Sequence, residues 1–474
     1  MLHKIKMKAV RKYFILVPLI LFFVAAERYL LRQFWFDEAL TFLNFALLPF
    51  EKIYFSYVIP NNHIGYTFLL RFWYLIAPQN VSLDVWCRLL SFVFAAAFIV
   101  FSWVKFKNFV FRTMLCCFAV SIPFVIYATS VRGYMAALFF SMPTVYCACN
   151  FARKGSLKNA VLFFISSLCC VSVLPTDLLI LEAAVIYAIP IFGKKFYRKK
   201  GFYQLSFMAV SAFAIFWMPV FSQLIKAAQL GEGWHDRLSS LAAGGVSFSA
   251  CLLVPLLFAC GSLFLPYRSN SIRYLRLAVF CILLSLALGA KVAPFPRVYF
   301  PFFGIFMLII STFASRVMAY IRLKKVCAIK AAKISFAILS LGAVLLLNYL
   351  PVSVNILSQL NGSAERDDFF APWYCHVDHV PQETAKELAK ENFSFCYLSF
   401  SADPWSVMFY SALNQIDMNK FYFDGPSGKV GSLPDGAIVV INKSEQILPL
   451  EKRFGGVFTV TGKTPMHTIY RYTL

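Results

Sequence analysis

Long apolar segments, each close to 20 residues, dominate the first 350 residues and limit what this 474-residue chain can fold into. A helix needs about 20 mostly apolar residues to cross the hydrocarbon core of a bilayer. Hydrophobic residues make up 60% of the chain and charged residues 14%, whereas a soluble chain averages about 45–50% and about 25%. These values exclude a water-soluble globular enzyme, a disordered protein and a disulfide scaffold. They indicate a multi-spanning membrane protein.

About eleven segments are predicted to be transmembrane helices. Their approximate ranges are 13–31, 86–104, 109–128, 133–151, 159–174, 178–193, 204–225, 247–265, 275–293, 298–315 and 334–350. Lys and Arg are concentrated in alternate loops, where six groups contain 25 of the 45 basic residues and no Asp or Glu. Basic loops stay on the cytoplasmic side, and this alternation requires an odd number of crossings. We therefore predict an all-α polytopic membrane protein with its N-terminus inside and its C-terminus outside.

One apolar segment, Ile64 to Pro78, is too short to be counted among the spans. Its 15 residues reach about 22 Å as a helix, against a hydrocarbon core of about 30 Å, and it contains Arg71. Counting it would also place several basic loops outside. We predict that it forms an interfacial helix within one long outer loop, residues 32–85. Loops of this length are usually functional or disordered, and the many aromatic residues argue against disorder.

The tail beyond residue 350 has a different composition. Residues 351–474 contain 10 basic and 13 acidic residues. Short β-type runs at 395–400, 437–442, 457–461 and 468–472 alternate with helix-like stretches at 383–391 and 404–412. This alternation is typical of a sheet covered by helices. We predict two parts, a transmembrane module over 1–350 and a small extracytoplasmic α/β domain over 351–474.

Polar side chains collect at four places on the predicted outer face. These are Asp37 with Glu38 after the first span, Asn62 with His63 before the interfacial helix, Arg132 with Tyr134, and Arg297 with Tyr299. A carboxylate is a candidate general base, and arginines can hold a phosphate through bidentate hydrogen bonds. Each place also has a structural interpretation. The acids would be solvated loop residues, the arginines would anchor lipid headgroups, and His63 would be a helix-start residue with Asn62 as the cap.

The order of these motifs resembles the GT-C superfamily of membrane glycosyltransferases. Asp37-Glu38 is followed by Asn61-Asn62-His63 and by an apolar helix that ends in Arg71-Phe72-Trp73. More narrowly, this order resembles bacterial relatives of protein O-mannosyltransferases and of the lipid A aminoarabinose transferase. Further elements similar to those relatives are Arg88-Leu89-Leu90-Ser91, Arg132-Gly133-Tyr134 and Arg297-Val298-Tyr299. The resemblance implies that residues 1–350 are a GT-C-like catalytic module.

The resemblance also implies an activity and a set of residue roles. A sugar, either a hexose or a pentose, would pass with inversion from a polyprenyl-phosphate-linked donor to an acceptor hydroxyl on the outer face. Asp37 would be the general base, and Glu38, Asn62 and His63 would support it. The donor phosphate would be bound by Arg132, Arg297, Tyr134 and Tyr299. The acceptor would be a glycan, a lipid or a protein, and no nucleic acid would be involved. Such a protein would be a multi-pass component of the inner (plasma) membrane, in contact with membrane lipids.

The sequence does not decide whether a metal cofactor is bound, and it leaves two alternative functions. Cys375-His376-Val377-Asp378-His379 offers side chains of the kind that bind a divalent metal, but without a standard zinc spacing. One alternative function is a transporter or flippase of lipid-linked glycans, and another is an assembly protein whose tail binds a partner. Transporters commonly contain internal repeats and broken helices near the midplane. No repeat is evident here and the polar groups collect on one face, which favours an enzyme.

Overall fold

The computed structural model of the chain describes residues 14–193, 195–230, 237–265, 279, 282–283, 296–323, 329–349, 380–424 and 428–474. Helices are the main element, and the chain divides into two compact units. Unit 1 comprises the described residues within 1–30, 49–78 and 86–371. Unit 2 comprises those within 31–48, 79–85 and 372–474.

The described helices before residue 350 are mostly long and apolar. In chain order they are α1 (Leu16–Leu30), α2 (Phe36–Thr41), α3 (Phe50–Phe55), α4 (Ile64–Leu75), α5 (Leu83–Lys105), α6 (Phe109–Ala119), α7 (Ile122–Ala128), α8 (Tyr134–Lys154), α9 (Leu157–Val173), α10 (Leu178–Phe192), α11 (Lys200–Trp217), α12 (Phe221–Leu230), α13 (Arg237–Gly261), α14 (Phe303–Leu323) and α15 (Ile329–Tyr349). A π-helical turn, Phe42–Ala46, follows α2. A 3₁₀ turn, Pro296–Phe302, precedes α14.

Within the described residues, six helical segments are long and apolar enough to cross a membrane. The number becomes seven if α6 and α7, which meet at a bend of 66°, form one broken span. Every predicted span except 275–293 overlaps a described helix, and most of 275–293 lies outside the described residues. Some of these helices are shorter than a full span; α9, for example, has 17 residues. The predicted number of spans and the sides of the two termini therefore stay predictions.

The segment predicted to lie in the interface forms α4, which has 12 residues and a length of about 18 Å. It approaches α9 closely at Gly65, where an added Cβ atom would lie 2.8 Å from the Cβ atom of Ser172. At its other end Trp73 stacks on Trp86 of α5, with ring centroids 4.7 Å apart. Each of these indoles donates a 2.8 Å hydrogen bond to the backbone carbonyl of the other tryptophan. Packing against two helices thus holds α4 in unit 1.

The C-terminal part of unit 2 contains a five-stranded mixed sheet. Its strands are β1 (Cys396–Leu398), β2 (Phe421–Tyr422), β3 (Ile438–Asn442), β4 (Val457–Lys463) and β5 (His467–Thr473), in the spatial order β2-β1-β3-β5-β4. Its helices are α16 (Pro381–Leu388), α17 (Pro404–Leu413) and α18 (Leu448–Phe454). β1 is parallel to β2 and β3, whereas β5 is antiparallel to β3 and β4. The expected small sheet is therefore present.

Both faces of this sheet are covered. Val440 packs in one apolar cluster with Val407 of α17, while its neighbour Val439 packs in another cluster with Leu450 of α18. This alternation follows from the two-residue period of a strand. The predicted strands and helices overlap four of the five strands and α16 and α17, whereas the two-residue strand β2 and helix α18 were not predicted.

Unit 2 also contains both ends of the predicted outer loop, residues 31–48 and 79–85. Leu43 packs against the apolar cluster that contains Val407 and Val440. The predicted boundary near residue 350 stays a prediction, because residues 350–379 lie outside the described residues. Segments distant in sequence thus form one compact unit with the sheet.

Candidate functional site

The turn between α7 and α8 carries Arg132 and is closed by side-chain hydrogen bonds. The Thr129 hydroxyl donates to the Val125 carbonyl at 2.8 Å, and the Ser130 hydroxyl donates to the Ile126 carbonyl at 2.6 Å. Both carbonyls also accept the Thr129 amide at the end of α7, so each hydroxyl adds a second bond there. All the residues from 120 to 138 are buried. The turn is therefore a fixed, dry support for the residues that follow.

A second set of bonds fixes this turn to α4 and α5. Ser91 of α5 donates to the Ser130 carbonyl at 2.6 Å. Because this bond uses the only hydroxyl proton of Ser91, the Tyr66 hydroxyl of α4 is the donor in its 2.8 Å bond to Ser91. All three residues are buried. Ser91 is the last residue of the Arg88-Leu89-Leu90-Ser91 motif, and this contact gives that motif a physical role.

Gly133 brings His63 against the same turn. The Gly133 amide donates to His63 Nδ1 at 2.8 Å. A Cβ atom added at Gly133 would lie 2.5 Å from Val173 Cγ1 and 2.8 Å from His63 Nδ1, distances that real Cβ atoms do not adopt. The His63 ring packs edge-on against Tyr134, with centroids 4.8 Å apart. Only glycine therefore permits this approach of the two segments.

The Gly133 contact determines the protonation of His63. A backbone amide can only donate, so Nδ1 is an acceptor and the proton of the neutral ring is on Nε2. Burial, together with the charges of Arg132 and Arg297, lowers the pKa of His63 well below its ordinary value. His63 is therefore neutral near pH 7. Its Nε2 is buried and has no hydrogen-bond partner among the described residues. The ring thus offers one N–H donor beside two cations.

Arg132 lies in this group with its guanidinium held in place. The residue is 3% exposed. Its Nη1 atom donates to Asn61 Oδ1, and its Nη2 atom donates to the Tyr134 hydroxyl at 3.4 Å. Its Cζ atom lies 5.5 Å from the centroid of the Tyr134 ring, a cation–π distance. A guanidinium held in this way needs little reorganisation to bind an anion.

Arg297 reaches the same group from the 3₁₀ turn before α14. It is buried, and its charge lowers the pKa of His63 together with that of Arg132. The same turn packs Phe300 on Tyr127 at 4.7 Å, and Tyr127 lies 5.1 Å from Tyr134. Three distant segments therefore converge. We name this group the His63 cluster, which consists of Asn61, His63, Arg132, Tyr134 and Arg297.

Two other predicted site residues of unit 1 have different positions. Tyr299 is buried, and its hydroxyl has no hydrogen-bond partner among the described residues, so its role at a phosphate stays a prediction. Asn62 donates to the carbonyls of Ile53 and Ser56, each at 3.1 Å, and accepts from Thr67 at 3.0 Å. The interpretation of Asn62 as the helix cap is wrong, because the cap position of α4 is His63 and no side chain caps it. Asn62 instead joins α3 to α4.

The two adjacent acids of unit 2 lie on the first turn of α2 and differ in environment. Glu38 is fully buried, accepts from the Trp35 amide at 3.3 Å and pairs with Arg32 at 3.5 Å. This is a capping arrangement, in which a residue in the first turn bonds the amide before the helix. The interpretation of Glu38 as a solvated loop acid is therefore wrong. Asp37 is half-buried and precedes it on the same turn.

Aromatic contacts hold α2 within unit 2. The Phe34 ring lies 4.6 Å from that of Phe409 on α17, and Phe42 meets the same ring edge-on at 5.5 Å. Phe36 lies 5.4 Å from Phe400. Rings from the segment around the two acids and rings from the C-terminal part of the chain thus pack together within unit 2.

The predicted metal-binding run lies outside the described residues. Cys375-His376-Val377-Asp378-His379 falls within 350–379. Elsewhere, in the described ranges, no group of three or more His, Cys, Asp or Glu side chains could hold a metal ion.

Three residues in or beside the site were not predicted as site residues: Asn61, Gly133 and Tyr57. Asn61 and Gly133 belong to motifs that were singled out, but nothing local shows that one would bind Arg132 and the other His63. Tyr57 is buried, and burial raises its pKa above the ordinary value, an effect that the nearby charge of Arg132 partly opposes. Neighbours of this kind come from contacts between distant segments. Only the two adjacent asparagines before His63 could have indicated from the sequence alone that Asn61 belongs to the site.

Neither a protein-family sequence model nor a curated protein sequence matches this chain. Solved structures do match it in three dimensions, among them two of ArnT. The apo form of ArnT from Cupriavidus metallidurans has a TM-score of 0.57 and 10% identity, and the match covers 98% of both chains. ArnT from the same organism bound to undecaprenyl phosphate has a TM-score of 0.54 and 10% identity, with 97% of both chains covered. The chain therefore shares the fold of ArnT, which confirms, at the level of the fold, the resemblance inferred from its motifs.

Proposed function

We propose that this chain is a multi-pass membrane glycosyltransferase of the GT-C type that uses a sugar donor linked to undecaprenyl phosphate. Support comes from the fold shared with ArnT, one of whose structures holds undecaprenyl phosphate. The observation that carries the proposal is the His63 cluster, in which two guanidinium groups and one neutral N–H donor meet in a buried place. Such a group suits an anion whose charge must be stabilised away from water.

The cluster would bind the phosphate of the donor. Hydrogen bonds from guanidinium groups to phosphate are charge-assisted and about twice as strong as neutral ones. Arg132 and Arg297 would supply them, and the Nε2–H of His63 would add a donor without adding charge. Tyr134, whose hydroxyl accepts from Arg132, would orient that guanidinium, and Tyr299 would supply a further hydroxyl. These groups would act more strongly in a dry site than in water.

The reaction would be a displacement at the anomeric carbon of the donor sugar. The bond from that carbon to the phosphate oxygen breaks, and a bond to the acceptor oxygen forms on the opposite face, so the configuration inverts. The electron pair of the broken bond stays on the lipid phosphate, where the added negative charge needs the two arginines. The proton of the acceptor hydroxyl goes to a general base.

Asp37 would be that base. Asp37 is half-buried on the first turn of α2, and Glu38 beside it is fully buried and bonded to the Trp35 amide and Arg32. The two acids would therefore have separate tasks, proton transfer for Asp37 and fixation of the helix start for Glu38. Asn62 would support the site by joining α3 to α4 just before His63.

The acceptor would be a glycan, lipid or protein with a free hydroxyl. The protein would lie in the inner membrane, with residues 351–474 on the extracytoplasmic side, as the alternation of basic loops predicts.

The test is transfer of a radiolabelled sugar from an undecaprenyl-phosphate donor by purified protein in lipid vesicles. We expect label on a delipidated acceptor fraction, and a loss of at least about 100-fold in rate for Asp37→Asn, since a general base typically contributes about 10²–10⁴. Movement of intact labelled donor across the vesicle membrane without transfer would overturn the proposal in favour of a flippase.

A further inference from the structure

A buried hydrogen-bond network joins three segments of unit 2 that are far apart in the chain. The Tyr410 hydroxyl on α17 donates to Asp84 Oδ2 at 2.7 Å and accepts from the Phe34 amide at 2.8 Å. Tyr410 is 2% exposed, and Asp84 and Phe34 are also buried. The other carboxylate oxygen of Asp84 accepts from the Val85 amide at 2.9 Å. One hydroxyl thus connects the C-terminal domain with both ends of the predicted outer loop.

This network lies immediately before the helix that carries Asp37. Phe34 precedes Asp37 by three residues, and its ring packs on Phe409, the neighbour of Tyr410 in α17. Gln33 adds a further connection, because its amide oxygen accepts from the Gln382 backbone at 2.8 Å. The chain entering α2 is therefore held by a hydroxyl, a ring and an amide from the C-terminal part of the protein.

The hydrogen-bond directions in this network are fixed. The Phe34 amide can only donate, so the Tyr410 oxygen must accept from it, and the single hydroxyl proton then points to Asp84. A phenylalanine at position 410 would keep the ring packing but remove the atom to which both groups bond. The hydroxyl, more than the bulk of the side chain, therefore sets the position of the segment before Asp37.

We propose that Tyr410 is a positioning residue for Asp37, so that the C-terminal α/β domain takes part in catalysis by holding the helix that bears the base. This inference rests on the proposed role of Asp37. It assigns the domain a task in the reaction, in addition to any contact that it makes with an acceptor. It also explains why a hydroxyl is placed in an otherwise aromatic contact between α2 and α17.

Tyr472 offers a matched control within the same domain. It is 1% exposed, its hydroxyl donates to the Phe454 carbonyl at 3.2 Å, and its ring packs on Phe458 at 5.1 Å. It therefore resembles Tyr410 in burial and chemistry, but its hydroxyl bonds within the domain. Tyr472→Phe also removes a buried phenolic hydroxyl, and should do so without disturbing α2.

The experiment compares Tyr410→Phe with Tyr472→Phe in the full chain, reconstituted in lipid nanodiscs. Hydrogen exchange of residues 33–42 gives a readout that needs no substrate, and we expect at least tenfold faster exchange at the Phe34 amide only in Tyr410→Phe. In the transfer assay we expect kcat to fall at least tenfold in Tyr410→Phe with KM for the donor within twofold. Tyr472→Phe should keep both parameters within twofold.

Each other outcome decides against the inference. Unchanged exchange in Tyr410→Phe would overturn the contact, and faster exchange with unchanged kcat would overturn the positioning role. An equal loss of kcat in both variants would show that lower stability of the domain, and not the position of α2, causes the loss. Absence of transfer by the unsubstituted protein would overturn the proposed function and the catalytic role of Tyr410 with it, while the exchange result would still show whether Tyr410 orders residues 33–42.

A second variant covers the case in which Tyr410→Phe does not fold. Asp84→Asn keeps the Tyr410 side chain but replaces the charged acceptor of its hydroxyl by a neutral one. We expect severalfold faster exchange over 33–42 and a severalfold lower kcat. Unchanged values in this variant would contradict the inference.

Discussion

Asp37 and Glu38 are neighbours in the chain, but their carboxylates have different surroundings. Glu38 is fully buried between the Trp35 amide and Arg32, and Asp37 is half-buried beside it on the same turn. Removal of a buried charged acceptor leaves its donors without compensation, whereas replacement of a half-buried carboxylate by its amide changes packing little. The two acids should therefore respond differently to the same substitution.

We predict that Glu38→Gln lowers the free energy of unfolding by about 1–3 kcal/mol, whereas Asp37→Asn leaves it nearly unchanged and removes activity. Thermal unfolding in detergent, measured alongside the transfer rate, separates these effects. The assigned roles would be contradicted if Asp37→Asn were the less stable protein. They would also be contradicted if Glu38→Gln lost activity without losing stability.

His63 gives stability a dependence on pH whose sign follows from its burial. The folded protein keeps the ring neutral, because burial and two arginines lower the pKa of His63 well below its ordinary value. The unfolded chain binds this proton near pH 6.5. Below that pH the unfolded state therefore holds more protons, and stability falls as the pH falls.

His63→Gln removes this titration. The variant should therefore become more stable relative to the unsubstituted protein as the pH is lowered from 7.5 to 5.5. The expected gain below pH 6.5 is up to about 1.4 kcal/mol for each pH unit. Melting temperatures of the two proteins across this range provide the measurement. Curves that stay parallel at all pH values would show that His63 has the same pKa in the folded and unfolded states, and would contradict the lowered pKa.

Helix packing around α4 depends on the absence of one side chain. A Cβ atom at Gly65 would lie 2.8 Å from the Cβ atom of Ser172 and 3.0 Å from its backbone carbon on α9. Backbone cannot move aside as a flexible side chain can. Because His63 lies two residues before Gly65, any displacement of α4 would also disturb the His63 cluster.

We predict that Gly65→Ala lowers stability by about 1–3 kcal/mol, the usual effect of overpacking, and also weakens binding of the lipid phosphate. Gly342→Ala on α15 is the control, since an added Cβ atom there meets nothing within 4 Å. Alanine is favoured over glycine within a helix by about 0.5–1 kcal/mol, so this variant should be slightly more stable. Equal melting temperatures for the two variants would show that α4 and α9 can separate freely.

The elements that could be predicted are those with a local pattern. The apolar runs of the first 350 residues predicted helices close to the observed ranges, and the short β-type run at 437–442 predicted β3. Other features depend on contacts that no local pattern contains. The kink of α13 at Leu252 and the pairing of the two-residue strand β2 with β1 belong to this class.

The same limit applies to the candidate site. Residue type identified His63, Arg132 and Arg297, because a base, a cation or a metal ligand can be recognised in isolation. Their neighbours could not be recognised in this way. The amide of Gly133 that sets the tautomer of His63, and the Tyr410 hydroxyl before α2, each act across a long stretch of sequence.

Taken over its full length, the chain combines the fold of ArnT with a cluster of two arginines and a neutral histidine. The proposed role of this cluster is to bind the phosphate of a polyprenyl carrier. Arg112 is a suitable comparison for Arg132, because it is also an arginine of the helical part and packs over Trp103 at 4.6 Å, but it is not a member of the His63 cluster.

The most direct measurement is the affinity for undecaprenyl phosphate, determined by native mass spectrometry of the unsubstituted protein, Arg132→Gln and Arg112→Gln. A hydrogen bond to a charged group contributes about 1.5–3 kcal/mol, so we predict that Arg132→Gln binds the lipid at least tenfold more weakly. Arg112→Gln should bind it within twofold of the unsubstituted protein. Equal affinities for Arg132→Gln and the unsubstituted protein would contradict the assignment of the His63 cluster as the phosphate site.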